Sequence, residues 1–215
     1  MRVREVVTRS GTNFRGKFPS LKLNRMVHWE STFERDAILH LEYHPLVVSY
    51  QEQPTIEYYY DAAGEAHQYT PDFRATFENG DELFIEIKPQ MSLSRRDVRE
   101  RLAAIAKRFE EQGRRFRVMT EKDIRRQPLF GNLKAMHRAT KTRRSRHDDR
   151  QLVLDLDPRP KWSFRELVDG VGSTERALRL IRMNHLTVDL EATLADDANV
   201  WLIGSEGGAH VAFQL

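Results

Sequence analysis

Apolar positions recur with a helical period first at residues 33–41, where Phe33, Ala37, Ile38 and Leu41 are spaced by three and four. Ser31 and Glu34 stand at capping-box spacing before them, and His44-Pro45 stops the helix. Three strand-like runs follow, at 46–52, 55–60 and 69–77. A fourth, 82–88, comes after the turn signal Glu78-Asn79-Gly80-Asp81. Ser94 begins a second helix whose stripe is Val98, Leu102, Ile105, Ala106 and Phe109, and Gly113 supplies its stop. Residues 116–119 form a short strand and 123–136 a further helix. Helix, antiparallel strands, helix, strand predicts an α/β domain built on one sheet. After a basic region at 134–147, two short capped helices begin at Ser163 and Ser173, separated by Gly170 and Gly172. Apolar runs at 186–190 and 200–203 follow them. Two helices, a tight turn and a hairpin predict a small winged-helix-like domain. The boundary falls in the basic region, giving domains 1–135 and 136–215.

Composition narrows the chemistry. With 40% hydrophobic and 31% charged residues over 215 positions, the chain can fill an ordinary core. It has no apolar run of membrane-spanning length and no apolar signal-peptide core, so a cytoplasmic protein with no membrane partner is expected. The absence of cysteine excludes disulfides, thiolate zinc sites, iron–sulfur clusters and a cysteine nucleophile. The net charge of +3 conceals a strong pattern: residues 1–25 sum to +6, 26–90 to −10, 91–150 to +11 and 151–215 to −4. Residues 1–25 read as a basic arm. Two decoys are set aside. Gly11 to Lys17 fits the first seven positions of a P-loop, but Phe18 stands where a magnesium-binding hydroxyl is needed, and Pro19 opposes the helix that should follow. His40 and His44 are spaced like a metal pair, yet no third ligand is near, and they read as ordinary helix-surface histidines.

The informative segment is Tyr69-Thr70-Pro71-Asp72-Phe73 with Glu86-Ile87-Lys88 fourteen residues beyond Asp72. On a strand, Glu86 and Lys88 face one way and Ile85 and Ile87 the other. A two-residue Asn79-Gly80 loop would mix polar and apolar residues on both faces. A three-residue loop, with Gly80 left-handed, sets Asp72 opposite Glu86, Phe73 opposite Ile85 and Ala75 opposite Leu83. That register places two carboxylates roughly 5 Å apart beside a lysine. Such a pair calls for a cation, and oxygen-only ligands suit Mg²⁺, with Mn²⁺ as a substitute. Lys88 could orient or deprotonate a water on that ion and offset charge on a phosphoryl transition state. Glu34 is a candidate third carboxylate, with a role as capping partner of Ser31 as the other reading. The chemistry indicated is metal-dependent phosphodiester hydrolysis.

Pro71-Asp72…Glu86-x-Lys88 resembles the signature of PD-(D/E)xK, restriction-endonuclease-like nucleases. The fuller string is Ser31-x-x-Glu34, Gln53-Pro54, Tyr69-Thr-Pro-Asp-Phe73, Glu86-Ile-Lys-Pro89 and Thr120-Glu121-x-Asp123-Ile124 before Asn132-Leu133. It resembles the TnsA family, endonuclease subunits of heteromeric cut-and-paste transposases, over residues 28–135. The resemblance implies a restriction-endonuclease-like core, a mixed sheet flanked by helices, that cuts the 5′ strands at transposon ends. A separate DDE-type transposase subunit (TnsB) would cut the 3′ strands, with an AAA+ regulator (TnsC) as further partner. Carried over by motif, Glu34, Asp72 and Glu86 are the acidic or metal-binding positions, the Ile87 backbone carbonyl is a further metal ligand, and Lys88 is the catalytic lysine. The family also uses glutamine at the third acidic position, where this chain has Glu86.

Double-stranded DNA would be held by Arg95, Arg99, Arg101 and Arg108 on the second helix, then Arg114, Arg115 and Arg117, and by Arg143, Arg144 and Arg146 in the basic linker. Arg176, Arg179 and Arg182 recur on the second winged helix as a groove-reading helix might show, yet this part is net acidic and reads as an interaction domain. The rival readings are a PD-(D/E)xK nuclease of a restriction or phage system, and a catalytically silent DNA-binding assembly factor.

Overall fold

The structure is a computed structural model and describes residues 14–139, 151–156, 159–203 and 212–215. These divide into two compact units. One runs through Arg125 apart from residues 43–46. The other takes residues 43–46 and the described residues from Arg126 onward.

In the first unit a hairpin of β1 (Gly16–Ser20) and β2 (Arg25–Trp29) precedes helix α1 (Thr32–Tyr43). The basic arm expected over residues 1–25 is corrected here for its later part, since residues 16–29 form a paired hairpin. Phe18 and Val27 face each other in register and are buried, Lys17 alternates outward, and Arg25, on the Val27 face, pairs with Glu52 at 2.7 Å. Residues 1–13 lie outside the described residues. Strand β3 (Val47–Glu52) is followed by a hairpin of β4 (Glu57–Tyr60) and β5 (Ala66–Tyr69), then by β6 (Phe73–Phe77) and β7 (Glu82–Ile87). The single strand expected over 69–77 is thus two, because Pro71 interrupts the run between β5 and β6. A 3₁₀ turn at Gln90–Ser94, helix α2 (Arg96–Glu111), β8 (Arg115–Met119) and the short α3 (Glu121–Ile124) complete the unit.

The central sheet has the order β3-β6-β7-β8, antiparallel except for the β7–β8 pair that α2 connects. Alternation gives it two apolar faces. Phe84 packs with Tyr59, Leu102, Ile105 and Phe109 beneath α2. Phe73, Ala75, Leu83, Ile85 and Ile87 are buried on the opposite face. Tyr50, in register with Ala75, bonds to Glu42 of α1 and so places α1 over that second face. Each buried Phe, Leu or Ile among them contributes about 1.5–3 kcal/mol. Glu42 is buried in α1 and accepts from Ser20 Oγ (2.6 Å), Tyr50 Oη (2.7 Å) and the Leu21 and Lys22 amides, which ties the β1–β2 turn to the helix. Lys22 donates to the Leu41 and Val47 carbonyls, and burial lowers its pKa to about 8.

His40 and His44 are not surface residues. Both are buried, with Nε2 of His40 2.7 Å from the Ile124 carbonyl and Nε2 of His44 2.9 Å from that of Phe213. The P-loop reading also fails structurally, because residues 16–20 are a strand rather than a loop entering a helix.

The helix expected over 123–136 is two helices, α3 and α4 (Leu129–Arg138), with Pro128 at the N-terminus of the latter. Helix α4 falls in the second unit, where Asn132 donates to the Leu190 and Ala192 carbonyls. That unit continues with β9 (Lys161–Ser163), α5 (Phe164–Val171), α6 (Thr174–Arg182), β10 (Leu186–Val188) and β11 (Asn199–Leu202), in an antiparallel sheet of order β10-β11-β9. Helix, strand, two helices and hairpin, with the first strand beside the last, is a winged-helix-like arrangement. Ser163 and Glu166 form a reciprocal capping box on α5, and Gly172 ends that helix at φ +82°. Among the described residues no helix is long and apolar enough to cross a membrane.

Candidate active site

The β6–β7 turn decides where the carboxylates go. Phe73 pairs with Ile85 and Ala75 with Leu83, the loop is Glu78-Asn79-Gly80, and Gly80 takes φ +86° while the Phe77 amide donates to the Asp81 carbonyl (2.9 Å). Only glycine adopts this backbone readily, so the turn type and the register are set together. One position before Phe73, Asp72 comes level with Glu86. Its Oδ2 accepts from the Ile87 amide at 2.6 Å, and its own carbonyl accepts from Gln53 at 2.9 Å. Gln53 sits at φ +44°, so the chain bends sharply where β3 ends and is tied to Asp72 at that point.

Glu86 is buried at 3% exposure, and its two oxygens are held differently. Oε1 is 2.5 Å from Lys88 Nζ, and Oε2 accepts from Tyr69 Oη at 2.7 Å. Burial acts to lower the pKa of Lys88, but Glu86 and Asp72 together outweigh it and keep the lysine cationic. Burial, then the Glu86 and Glu34 charges, raise the pKa of Asp72 well above the ordinary aspartate value, against the opposing Ile87 hydrogen bond and Lys88. Glu34 is half-buried and also raised, first by burial and then, among other causes, by Glu86. Its Oε2 accepts from the Glu30 amide (2.8 Å) while its amide donates to Ser31 Oγ (3.1 Å). Glu34 therefore serves the helix start and stands in the electrostatic field of the other two carboxylates.

Asp72 and Glu86, with Glu34 in reach of both charges, are the oxygen donors available to a hard cation. Their mutual repulsion and burial are what a cation would relieve. A tighter grouping, with ligand atoms within 4.8 Å of one another, occurs at Asp61, Glu65 and His67 on the β4–β5 turn. There Asp61 Oδ1 accepts from the Ala63 and Glu65 amides and Oδ2 faces His67 at 2.9 Å, an arrangement that closes the turn.

Several supports were not assigned roles from the sequence. Tyr69 is one. Glu121 is another: its Oε2 accepts from the Gln90 amide (2.8 Å) and fastens the chain two residues after Lys88. Thr120 and Asp123 form the capping box of α3. The only signal for these was their place in the quoted motif string.

The arginines separate by what they already touch. Arg95 and Arg115 are exposed at 68% and 61%, with Asp97 and Asp81 as ion partners. Arg99 donates to the Leu93 and Ser94 carbonyls, and Arg108 lies 3.6 Å from Glu111. Arg114 is engaged inside the domain, stacked over Phe84 and Phe109 and paired with Glu57 at 2.8 Å. Arg117 is 3.7 Å from Asp123. Arg101 is exposed on α2, and its charge reaches Lys88 and Tyr69. Arg143, Arg144 and Arg146 lie outside the described residues. In the second unit Arg176 donates to the Val171 carbonyl at 2.9 Å and Arg182 lies over the Tyr43 ring.

Residues 44–121 match the family model of the TnsA-like endonuclease N-terminal domain. The matched stretch contains Asp72, Glu86 and Lys88. No curated protein matches the chain.

Proposed function

We propose that this chain, whose residues 44–121 match the TnsA-like endonuclease N-terminal domain, is a TnsA-type, metal-dependent DNA endonuclease cutting the 5′ strands at transposon ends. The observation that carries the reading is the convergence of Asp72, Glu86 and Lys88 at the ends of β6 and β7, with Glu34 in their electrostatic field. Asp72 and Glu86 would hold Mg²⁺, or Mn²⁺ in its place, with Glu34 and the Ile87 carbonyl as the adjoining oxygens. When bound, the ion supplies Lewis-acid polarisation of the scissile phosphate.

The chain's own groups do the rest. Lys88, held cationic beside Glu86, presents a positive charge and N–H donors where negative charge grows on the phosphoryl oxygens. Being protonated, it acts as a donor and leaves proton acceptance to another group. The Ile87 amide fixes Asp72, and Glu121 fixes the turn after Lys88, so both reacting groups sit on rigid backbone. Arg101, exposed on α2 with its charge reaching Lys88 and Tyr69, is the arginine placed to contact a phosphate at the site, while exposed Arg115 lies at the β6–β7 turn beside Asp81 and would meet DNA only away from the carboxylates. The partners of the reading are the double-stranded transposon ends, a DDE-type transposase subunit of the TnsB kind for the 3′ strands, and an AAA+ regulator of the TnsC kind, all in the cytoplasm.

The test is a transposition reaction reconstituted with those partners. Asp72→Ala is expected to abolish 5′-strand cuts while 3′ cuts persist. Loss of neither, or of both equally, would favour a silent assembly factor instead.

A further inference from the structure

We propose that Tyr69 is a positioning residue of this site, its hydroxyl holding the Glu86 carboxylate so that Oε1 alone is presented to Lys88 and to a divalent cation. The inference rests on the metal-dependent reading above. Tyr69 is the last residue of β5, and its ring stands edge-on to Phe109 (6.5 Å, 87°) and to Phe116 (6.1 Å, 82°). Phe109 is itself buried in the core under α2, so the ring is anchored by two aromatics on different elements. From that anchor the hydroxyl donates to Glu86 Oε2 at 2.7 Å. Glu86 is 3% exposed, so water does not supply a substitute donor, and Lys88 occupies Oε1 at 2.5 Å.

Two donors on two oxygens fix the carboxylate plane. The same short segment, Tyr69-Thr70-Pro71-Asp72, then delivers both the first carboxylate and the clamp on the second. A donor that orients a metal-binding carboxylate typically affects metal affinity by about 10–100-fold when removed.

The experiment uses the full chain and Mn²⁺ alone, with binding followed by electron paramagnetic resonance and folding by thermal unfolding in EDTA. Tyr69→Phe keeps the ring against Phe109 and Phe116, so the chain still unfolds cooperatively, with a midpoint lower by only a few degrees for the lost hydrogen bond, while Mn²⁺ binds about tenfold more weakly or worse. In a Glu86→Gln background the same change weakens Mn²⁺ binding no further. Phe116→Leu loosens the ring's packing but keeps the hydroxyl, and is expected to lower the midpoint without matching the loss of affinity. Equal Mn²⁺ affinity in Tyr69→Phe and parent overturns the inference. So does an equal loss in the Glu86→Gln background, or a Phe116→Leu loss as large as that of Tyr69→Phe. A parent chain that binds no Mn²⁺ overturns the metal reading itself, and this inference with it.

Discussion

Replacing Asp72 by Asn should make the metal-free protein more stable while destroying its activity. The Asp72 side chain accepts one hydrogen bond, from the Ile87 amide at 2.6 Å, and an asparagine oxygen can still accept that bond, though more weakly than a carboxylate. What disappears is the repulsion from Glu86 and Glu34. Two carboxylates about 5 Å apart at an effective dielectric near 20 repel by roughly 3 kcal/mol. Lys88 shares their charge, and protonation of Asp72 relieves part of the repulsion. The expected gain is therefore about 1–2 kcal/mol, or roughly 3–6 °C in midpoint for a chain of this size.

The pH dependence fixes the cause. Asp72 has a folded pKa raised above its ordinary value of 3.8. Well below pH 3.8 it is protonated in both states and contributes no penalty, and near pH 4 the penalty is still small. As pH rises through the folded pKa, the parent loses stability that Asp72→Asn keeps. Midpoints measured in EDTA from pH 4 to 8.5 should converge at the acid end and separate toward neutrality. Adding Mg²⁺ should raise the parent's midpoint, since a ligand of the native state stabilises it, and leave Asp72→Asn unmoved. A variant less stable than the parent at pH 8, or a gap that does not change with pH, would refute the reasoning.

Two other outcomes follow from the same geometry. Lys88→Met keeps the length of the side chain without its charge, and should reduce 5′-strand cleavage by at least about 100-fold in single-turnover assays while leaving DNA binding within a few fold. Glu42→Ala leaves three donors at the β1–β2 turn and the Tyr50 hydroxyl on β3 without their shared acceptor, and should lower stability by about 2–4 kcal/mol in urea unfolding, with no direct effect on the catalytic groups.

The core of the site was legible because it is governed by local rules. One register of 82–88 against 69–77 keeps Phe73, Ile85, Ala75 and Leu83 on one face, and Gly80 provides the loop that register needs, so sequence pattern alone placed Asp72 level with Glu86. The hairpin at 16–29 was obscured because Lys17, Lys22 and Arg25 make the segment read as basic, although Lys22 and Arg25 are used internally, on the Leu41 and Val47 carbonyls and on Glu52, and its buried apolar side is little more than Phe18 and Val27. His40 and His44 were misread for a different reason. Their partners are backbone carbonyls 84 and 169 residues away, and neither leaves a mark near the histidines in sequence. Tyr69 was similarly hidden: alternation gives a strand tyrosine a face, but the partner of its hydroxyl depends on how the hairpin of β4 and β5 meets α2 and β8. Arg114 shows the converse, a basic residue in a basic run that the fold uses as an aromatic-stacked internal ion pair.

The central claim is that Asp72 and Glu86 form one cation site. Crystals of the full chain soaked in Mn²⁺, with data collected for manganese anomalous scattering, address it directly. The account predicts a peak between the Asp72 and Glu86 carboxylates, beside the Ile87 carbonyl. Its absence there, or a peak only at Asp61, Glu65 and His67, would contradict it.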